Sequence, residues 1–132
     1  MSAEVVYLDS SALAKLVVHE AESSALRRYL RRRKRRATCG LARVEVVRAV
    51  RAHGAAAVAA ARRILGGVDL IRLDDVLLDE ASELGGGTLR TLDAIHLAAA
   101  RSLRSDLVAV VTYDARMTSA ATDLRLTVVA PR

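Results

Sequence analysis

The 132-residue chain has no tryptophan and no phenylalanine, and aromatic residues make up only 2% of it. Its core must therefore be built from Val, Leu, Ile and Ala. It also offers few rings on which bases stack, which argues against single-strand binding in an aromatic groove. One cysteine, Cys39, has no partner in the chain. Set among small and apolar residues, it reads as a small buried hydrophobe in a reducing compartment. No apolar run approaches the roughly 18 residues a membrane span needs. The amino-terminal stretch lacks the basic-then-apolar pattern of a secretion signal. The expectation is a soluble cytoplasmic protein with no membrane contact. At 52% hydrophobic residues, the chain can bury a core without disulfides or a structural metal, and its length fits a single domain over residues 1–132.

Acidic residues are also scarce relative to basic ones, and the net charge is +6. The average conceals a local feature. The run RRYLRRRKRR, residues 27–36, holds eight of the 21 basic residues, and outside it 13 basic residues face 15 acidic ones. Such a cluster suggests an anionic partner, either RNA phosphates or an acidic protein segment. The plainer alternative is a solvated helix face with a basic end.

What remains is an alternation of strands and helices. Strands are expected at residues 4–8, 37–39, 68–73, 107–112 and 126–130. Helices are expected at 10–18, 20–34, 41–53, 55–65, 74–84, 91–103 and 115–124. Glycines punctuate the pattern at Gly40, Gly54, Gly66-Gly67 and Gly85-Gly86-Gly87, and Thr91 is a plausible N-cap. This order argues an α/β fold around a mostly parallel sheet, and fully apolar runs such as 108–111 suit strands covered on both faces.

Open α/β sheets bind ligands beyond the carboxyl ends of their strands. That rule selects Asp9, which ends the strand in VVYLDSSAL, and Asp114 in VVTYDAR. Two helical acids join them: Glu45 in LARVEVVRA and Asp93 in TLDAIHLA. Each has an ordinary explanation. Asp9 and Asp114 could cap the helices that follow, Asp93 could answer a helix dipole, and Glu45 could pair with Arg48 or face solvent. Taken together they are harder to dismiss. Two carboxylates at ~4 Å repel by roughly 4 kcal/mol at an effective dielectric of about 20, so a cluster of four calls for protonation or a cation. Hard oxygen donors suit Mg²⁺ or Mn²⁺.

The segments YLDSSALAKL, ARVEVVRA, LRTLDAIHLAAA, VVTYDARM and LTVVAP occur in that order. The chain so resembles the PIN-domain ribonucleases, specifically the VapC toxins of VapBC toxin–antitoxin pairs. The resemblance implies a three-layer α/β/α fold with a central five-stranded parallel sheet in the order 3-2-1-4-5. It implies a metal-dependent endoribonuclease in which Asp9, Glu45, Asp93 and Asp114 hold one or two Mg²⁺ or Mn²⁺ ions. Hydrolysis of RNA would leave a 5′-phosphate and a 3′-hydroxyl. Thr112 matches the family's hydroxyl residue two before the last acid, and Ser10 would cap the first helix and touch the same network. The implied partners are RNA (structured RNA such as transfer RNA), a VapB-like antitoxin and a second copy of the chain.

Other residues are less telling. Arg90 and Arg116 adjoin two of the acids and could hold a scissile phosphate or form salt bridges. His96, on an apolar helix face, is expected to pack or to hydrogen-bond a neighbouring side chain. Two rival readings stand beside the nuclease. One is a non-catalytic RNA-binding module that uses only the basic run. The other is a phospho-acceptor domain, for which Asp74-Asp75 would be the relevant acids.

Overall fold

A computed structural model describes residues 3–86 and 88–132. Gly87, the last glycine of the triplet, lies outside the described residues. The elements run β1 (Val5–Leu8), α1 (Ser10–Val17), α2 (Ser23–Leu30), β2 (Arg36–Cys39), α3 (Ala42–Val50), α4 (Ala55–Leu65), β3 (Asp69–Ile71), α5 (Asp75–Glu83), α6 (Thr91–Arg101), β4 (Leu107–Val111), α7 (Ala115–Asp123) and β5 (Val128–Val129). Short 3₁₀ turns follow α3 and precede β4. All five strands are parallel, in the order β3-β2-β1-β4-β5. This is the expected α/β/α architecture and strand order.

Alternation along β1 builds two cores. Val6 and Leu8 join Leu13, Leu26, Val46, Val50 and Leu65 on the face covered by α1 to α4. Tyr7 points the other way, into a core with Cys39, Leu77, Ala98 and Val110 beneath α5 and α6. The alanines of α6 are what allow it to lie close on the sheet: Ala98, Ala99 and Ala100 are all fully buried. Met117 and Ala121 attach α7 to Leu97 of the same helix.

Several elements are shorter than their sequence pattern. The second helix stops at Leu30, not near Lys34. There Arg36 folds back, its Nε donating to the Arg33 carbonyl (2.9 Å) and its Nη2 to the Leu30 carbonyl (2.7 Å). A guanidinium thus takes carbonyls left free at the helix end. The third helix ends at Val50 and continues as a 3₁₀ turn over Arg51–His53 before Gly54, whose φ of 101° suits only glycine. The edge strands reduce to Asp69–Ile71 and Val128–Val129, because each has a ladder partner on one side only. Thr91 is not an N-cap: Arg90 occupies that position with no side-chain bond, and Thr91 is the first helical residue.

The strand order reverses between β1 and β4. Leu8 pairs with Val111 at the ends of these strands, so the residues that follow, Asp9 and Thr112, emerge side by side. In this parallel arrangement α1, α3, α6 and α7 all begin at the carboxyl edge. Their positive ends face one crevice.

Candidate active site

Asp9 is the buried anchor of the crevice, 3% exposed. It does cap α1: Oδ1 accepts from the Ala12 backbone N–H (3.0 Å) and from the Ser11 hydroxyl (2.6 Å). Oδ2 accepts from the Thr112 hydroxyl across the β1–β4 seam. Burial raises the Asp9 carboxyl above its ordinary range, although the Ser11, Thr112 and Ala12 donors oppose that shift. Oδ2, with one donor, keeps a lone pair for something else.

Asp114 likewise serves as a cap. Its Oδ1 accepts from the backbone N–H groups of Arg116 (2.8 Å) and Met117 (3.2 Å). Its own N–H donates to Thr112 Oγ1 (3.1 Å), so Thr112 joins the first and last acids of the site. Asp114 Oδ2 is not engaged by any described residue.

Asp93 is different. It lies in the first turn of α6, and its carboxylate accepts no hydrogen bond among the described residues. Burial raises its pKa, and so do the nearby charges of Asp114 and Asp9; His96 and Arg90 pull the other way. Asp114 and Asp9 thus lie near enough for their charges to raise the Asp93 carboxyl. Arg90 and Arg116 line the same groove as Asp93, together with Ser119 and Asp123.

Glu45 meets the site from α3. It does not pair with Arg48; its Oε1 accepts from Ser10 Oγ (2.8 Å) and from His96 Nε2 (2.7 Å). His96, 3% exposed, lies with Nδ1 2.7 Å from the Tyr7 hydroxyl and 3.7 Å from Cys39 Sγ. Burial disfavours the imidazolium, but the contacts with Cys39 and Glu45 outweigh it and raise the His96 pKa to about 10. Glu45 responds in the opposite sense: burial would raise its carboxyl, and the His96 and Ser10 hydrogen bonds lower it. Ser10 is thus not the helix cap but a bridge between α1 and Glu45, with its oxygen 3.5 Å from His96 Nε2.

The sequence pattern does not single out two members of this network. Ser11 holds Asp9 and accepts the Tyr113 backbone N–H (3.0 Å). Tyr7 orients His96, its ring edge-on to the imidazole. The adjacent hydroxyls after a strand-ending Asp are the available signal for Ser11. Nothing local marks Tyr7, whose role arises from a helix 89 residues away in sequence. Asp74, the first of the two acids of the phospho-acceptor reading, is the N-cap of α5, its Oδ1 accepting from the Leu77 N–H (2.9 Å).

The donor set of Asp9, Asp93 and Asp114, with Glu45 beside it, is entirely carboxylate. Such hard oxygen donors fit Mg²⁺ or Mn²⁺. Among the described residues no three His, Cys, Asp or Glu side chains are drawn together as a ready-made ligand cage. Mg²⁺ does not need one: it keeps several waters and is commonly held by one or two carboxylates plus substrate phosphates.

A PIN domain model matches residues 6–123. Ribonuclease VapC46 of Mycobacterium tuberculosis is 53% identical over 126 residues, which cover 96% of this chain and 97% of that protein. The chain belongs to the VapC ribonucleases of the PIN-domain family. Ribonuclease VapC35 of the same organism is 42% identical over 131 residues, covering 96% of this chain and 97% of its own. The VapC fold itself is matched by the crystal structure of M. tuberculosis VapC20, described as a sarcin–ricin loop cleaving toxin. Its TM-score is 0.73 with 19% identity, covering 96% of this chain and 99% of that one. No described helix is long and apolar enough to cross a membrane.

Proposed function

We propose that this VapC-family chain is a Mg²⁺- or Mn²⁺-dependent endoribonuclease toxin, and that Asp9, Glu45, Asp93 and Asp114 form its active site. The observation that carries the reading is that Thr112 joins Asp9 to Asp114 at the end of the β1–β4 seam, and that Asp93, a half-buried carboxylate without a hydrogen-bond partner among the described residues, lies near enough for both charges to raise it. A fold that only needed a helix-dipole residue there would not leave that carboxylate unpartnered beside two others; a cation among them relieves the repulsion on Asp93. When bound, a divalent ion supplies Lewis-acid polarisation of the phosphate and eases deprotonation of the attacking water.

The chain's own residues do the rest. Thr112 and Ser11 fix the Asp9 carboxylate so that one lone pair faces the crevice. His96 and Ser10 fix Glu45 at its edge. Arg90 and Arg116, in the groove beside Asp93, hold the substrate's phosphates. The substrate in this reading is structured RNA such as transfer RNA, selected by shape more than by sequence. A VapB-like antitoxin silences the enzyme, and the toxin works as a homodimer in the cytoplasm. Exposed Val44 and Leu70, lining a groove with Arg43 and Arg62 beside the helix that carries Glu45, are a suitable surface for a protein partner.

The test is to incubate the purified chain with total RNA in Mg²⁺ or in chelator and to map the ends. The reading expects discrete cuts bearing 5′-phosphates, lost in chelator and in Asp93→Ala, with RNA affinity retained by that variant. Cleavage that persists in Asp93→Ala overturns it. Binding without cleavage by the wild type favours the non-catalytic RNA-binding module.

A further inference from the structure

The basic run lies at the opposite end of the sheet from the acids. α2 ends at Leu30, residues 31–35 form the connection, and β2 starts at Arg36 and runs toward Gly40 and the crevice. The Arg35 carbonyl accepts from the Val6 N–H (3.0 Å), which seats the connection against the first residues of β1. Strands of four to five residues, at about 3.3 Å each, separate the two edges by roughly 15 Å before flanking loops are counted.

The connection has a defined shape. Arg36 staples the Leu30 and Arg33 carbonyls, and the Arg33 guanidinium lies over the Tyr29 ring, 4.6 Å from its centroid. Those two cations are used internally. Arg28, Arg31, Arg32, Lys34 and Arg35 are exposed, and none of the run's cations is in an ion pair among the described residues. Arg32 to Arg35 also line a groove in which Glu4 is the one acid.

Four exposed cations on a stapled loop, with Arg28 exposed on the adjoining helix, call for an anion, and the surroundings discriminate between kinds of anion. Protein partners gain most of their affinity from buried aromatic or apolar anchors. The exposed large apolar side chains, Val44, Leu70, Val76, Leu78 and Leu92, all lie outside the run. Its aromatic ring, Tyr29, is covered by Arg33, so it offers no open face for base stacking. Charge without anchors or stacking platforms suits a phosphate backbone. We propose that Arg28, Arg31, Arg32, Lys34 and Arg35 form a phosphate-backbone exosite that holds a distal part of a folded RNA while the scissile strand occupies the crevice at the other edge. The inference rests on the nuclease reading for its substrate, but it is measured by binding alone.

The experiment uses the full chain carrying Arg31→Gln, Arg32→Gln, Lys34→Gln and Arg35→Gln together, with Arg33 and Arg36 untouched. Binding is measured on an Asp93→Asn background with a transfer RNA, with a single-stranded oligoribonucleotide too short to cross the sheet, and with a polyglutamate peptide. Transfer-RNA affinity should fall roughly tenfold or more, and the slope of log affinity against log salt should shrink by about 0.9 for each duplex phosphate that the variant no longer neutralises. Affinity for the short oligonucleotide should not change, nor should its cleavage when the four substitutions are made with Asp93 intact. Arg31→Lys, Arg32→Lys and Arg35→Lys together should retain transfer-RNA affinity, since charge is what acts. Unchanged transfer-RNA affinity and salt slope in a folded Gln variant overturns the exosite, as does an equal loss for the short oligonucleotide. Run-dependent binding of polyglutamate without run-dependent binding of RNA overturns it in favour of an acidic protein. A wild type that binds RNA through the run but cuts nothing defeats the nuclease reading and leaves the exosite standing.

Discussion

Thr112 Oγ1 donates to Asp9 Oδ2 across the seam between β1 and β4 and accepts the Asp114 N–H, so a single hydroxyl links the two strand-ending acids. The bond to Asp9 is buried, and the bond to the exposed Asp114 is partly buried. Thr112→Val keeps the shape and removes the hydroxyl. It leaves the buried Asp9 oxygen short of its donor, at a cost of about 1–3 kcal/mol for an unsatisfied buried group, readable by urea unfolding. Because the lost donor favours the ionised form of Asp9, the acid limb of any pH–activity profile should move to higher pH in the variant. Thr112→Ser should restore both properties.

Asp93 predicts the opposite balance. Its pKa is raised by burial and by Asp114. The folded state therefore holds this proton more tightly than the unfolded chain, and ionisation above the ordinary carboxylate range destabilises the fold. Asp93→Asn should melt at a higher temperature than the wild type near pH 7 in chelator, while losing RNA cleavage. Adding Mg²⁺ or Mn²⁺ should raise the wild-type melting temperature and have little effect on the variant, since a ligand that binds only the folded state stabilises it. An Asp93→Asn protein that is less stable than wild type in chelator would show that the carboxylate serves the fold.

Much of this site can be read from the sequence because its logic is local. A buried strand ending in a carboxylate, followed by a helix, places Asp9 and Asp114 at a carboxyl edge whatever the rest of the chain does. Their capping roles and their candidacy as functional acids are compatible, since capping engages Oδ1 in both. The Glu45 partnership is not legible: Arg48 is the near neighbour in sequence, but His96 and Ser10 reach Glu45 from α6 and α1, and only the packing of those helices on the sheet brings them together. The start of α6 at Thr91 is as expected, but its cap and the end of α2 escape the pattern for a related reason. Helix ends are decided by which groups satisfy their free backbone atoms, and at Leu30 that group is the Arg36 side chain, six residues on. The basic run is evident as composition, but its position follows only from the start of β2 at Arg36, which fixes the preceding loop at the amino edge.

Tyr7 tests how far the Glu45 arm depends on its support. Its hydroxyl lies 2.7 Å from His96 Nδ1 inside the core. Tyr7→Phe keeps the ring packing but leaves the buried His96 Nδ1 without its oxygen partner, and should cost about 1–3 kcal/mol. His96→Ala removes the partner of Glu45 as well as buried volume, and should cost more. If His96 positions Glu45, both variants should lower kcat more than they raise KM, with Tyr7→Phe the milder. A loss of stability with kcat intact would assign the pair to packing alone.

The same imidazole sets a pH dependence of stability whose sign is fixed by its partners. The His96 pKa is raised to about 10, against roughly 6.5 for an unfolded histidine. Its contribution is fully present below about pH 6.5 and is lost as pH rises toward 10, because the folded state binds the proton that the unfolded state has released. Glu45, lowered by His96 and Ser10 against the pull of burial, contributes above the ordinary glutamate range near 4.3 and loses that contribution as pH falls below it. The ion pair is therefore worth most between about pH 4.5 and 6.5. Melting temperature measured in chelator from pH 4 to 10 should decline on the alkaline side in the wild type and decline less in His96→Gln, whose side chain can still donate to Glu45 but does not titrate. Parallel alkaline declines in the two proteins would mean that His96 is already neutral at pH 7 and that its bond to Glu45 is an ordinary hydrogen bond.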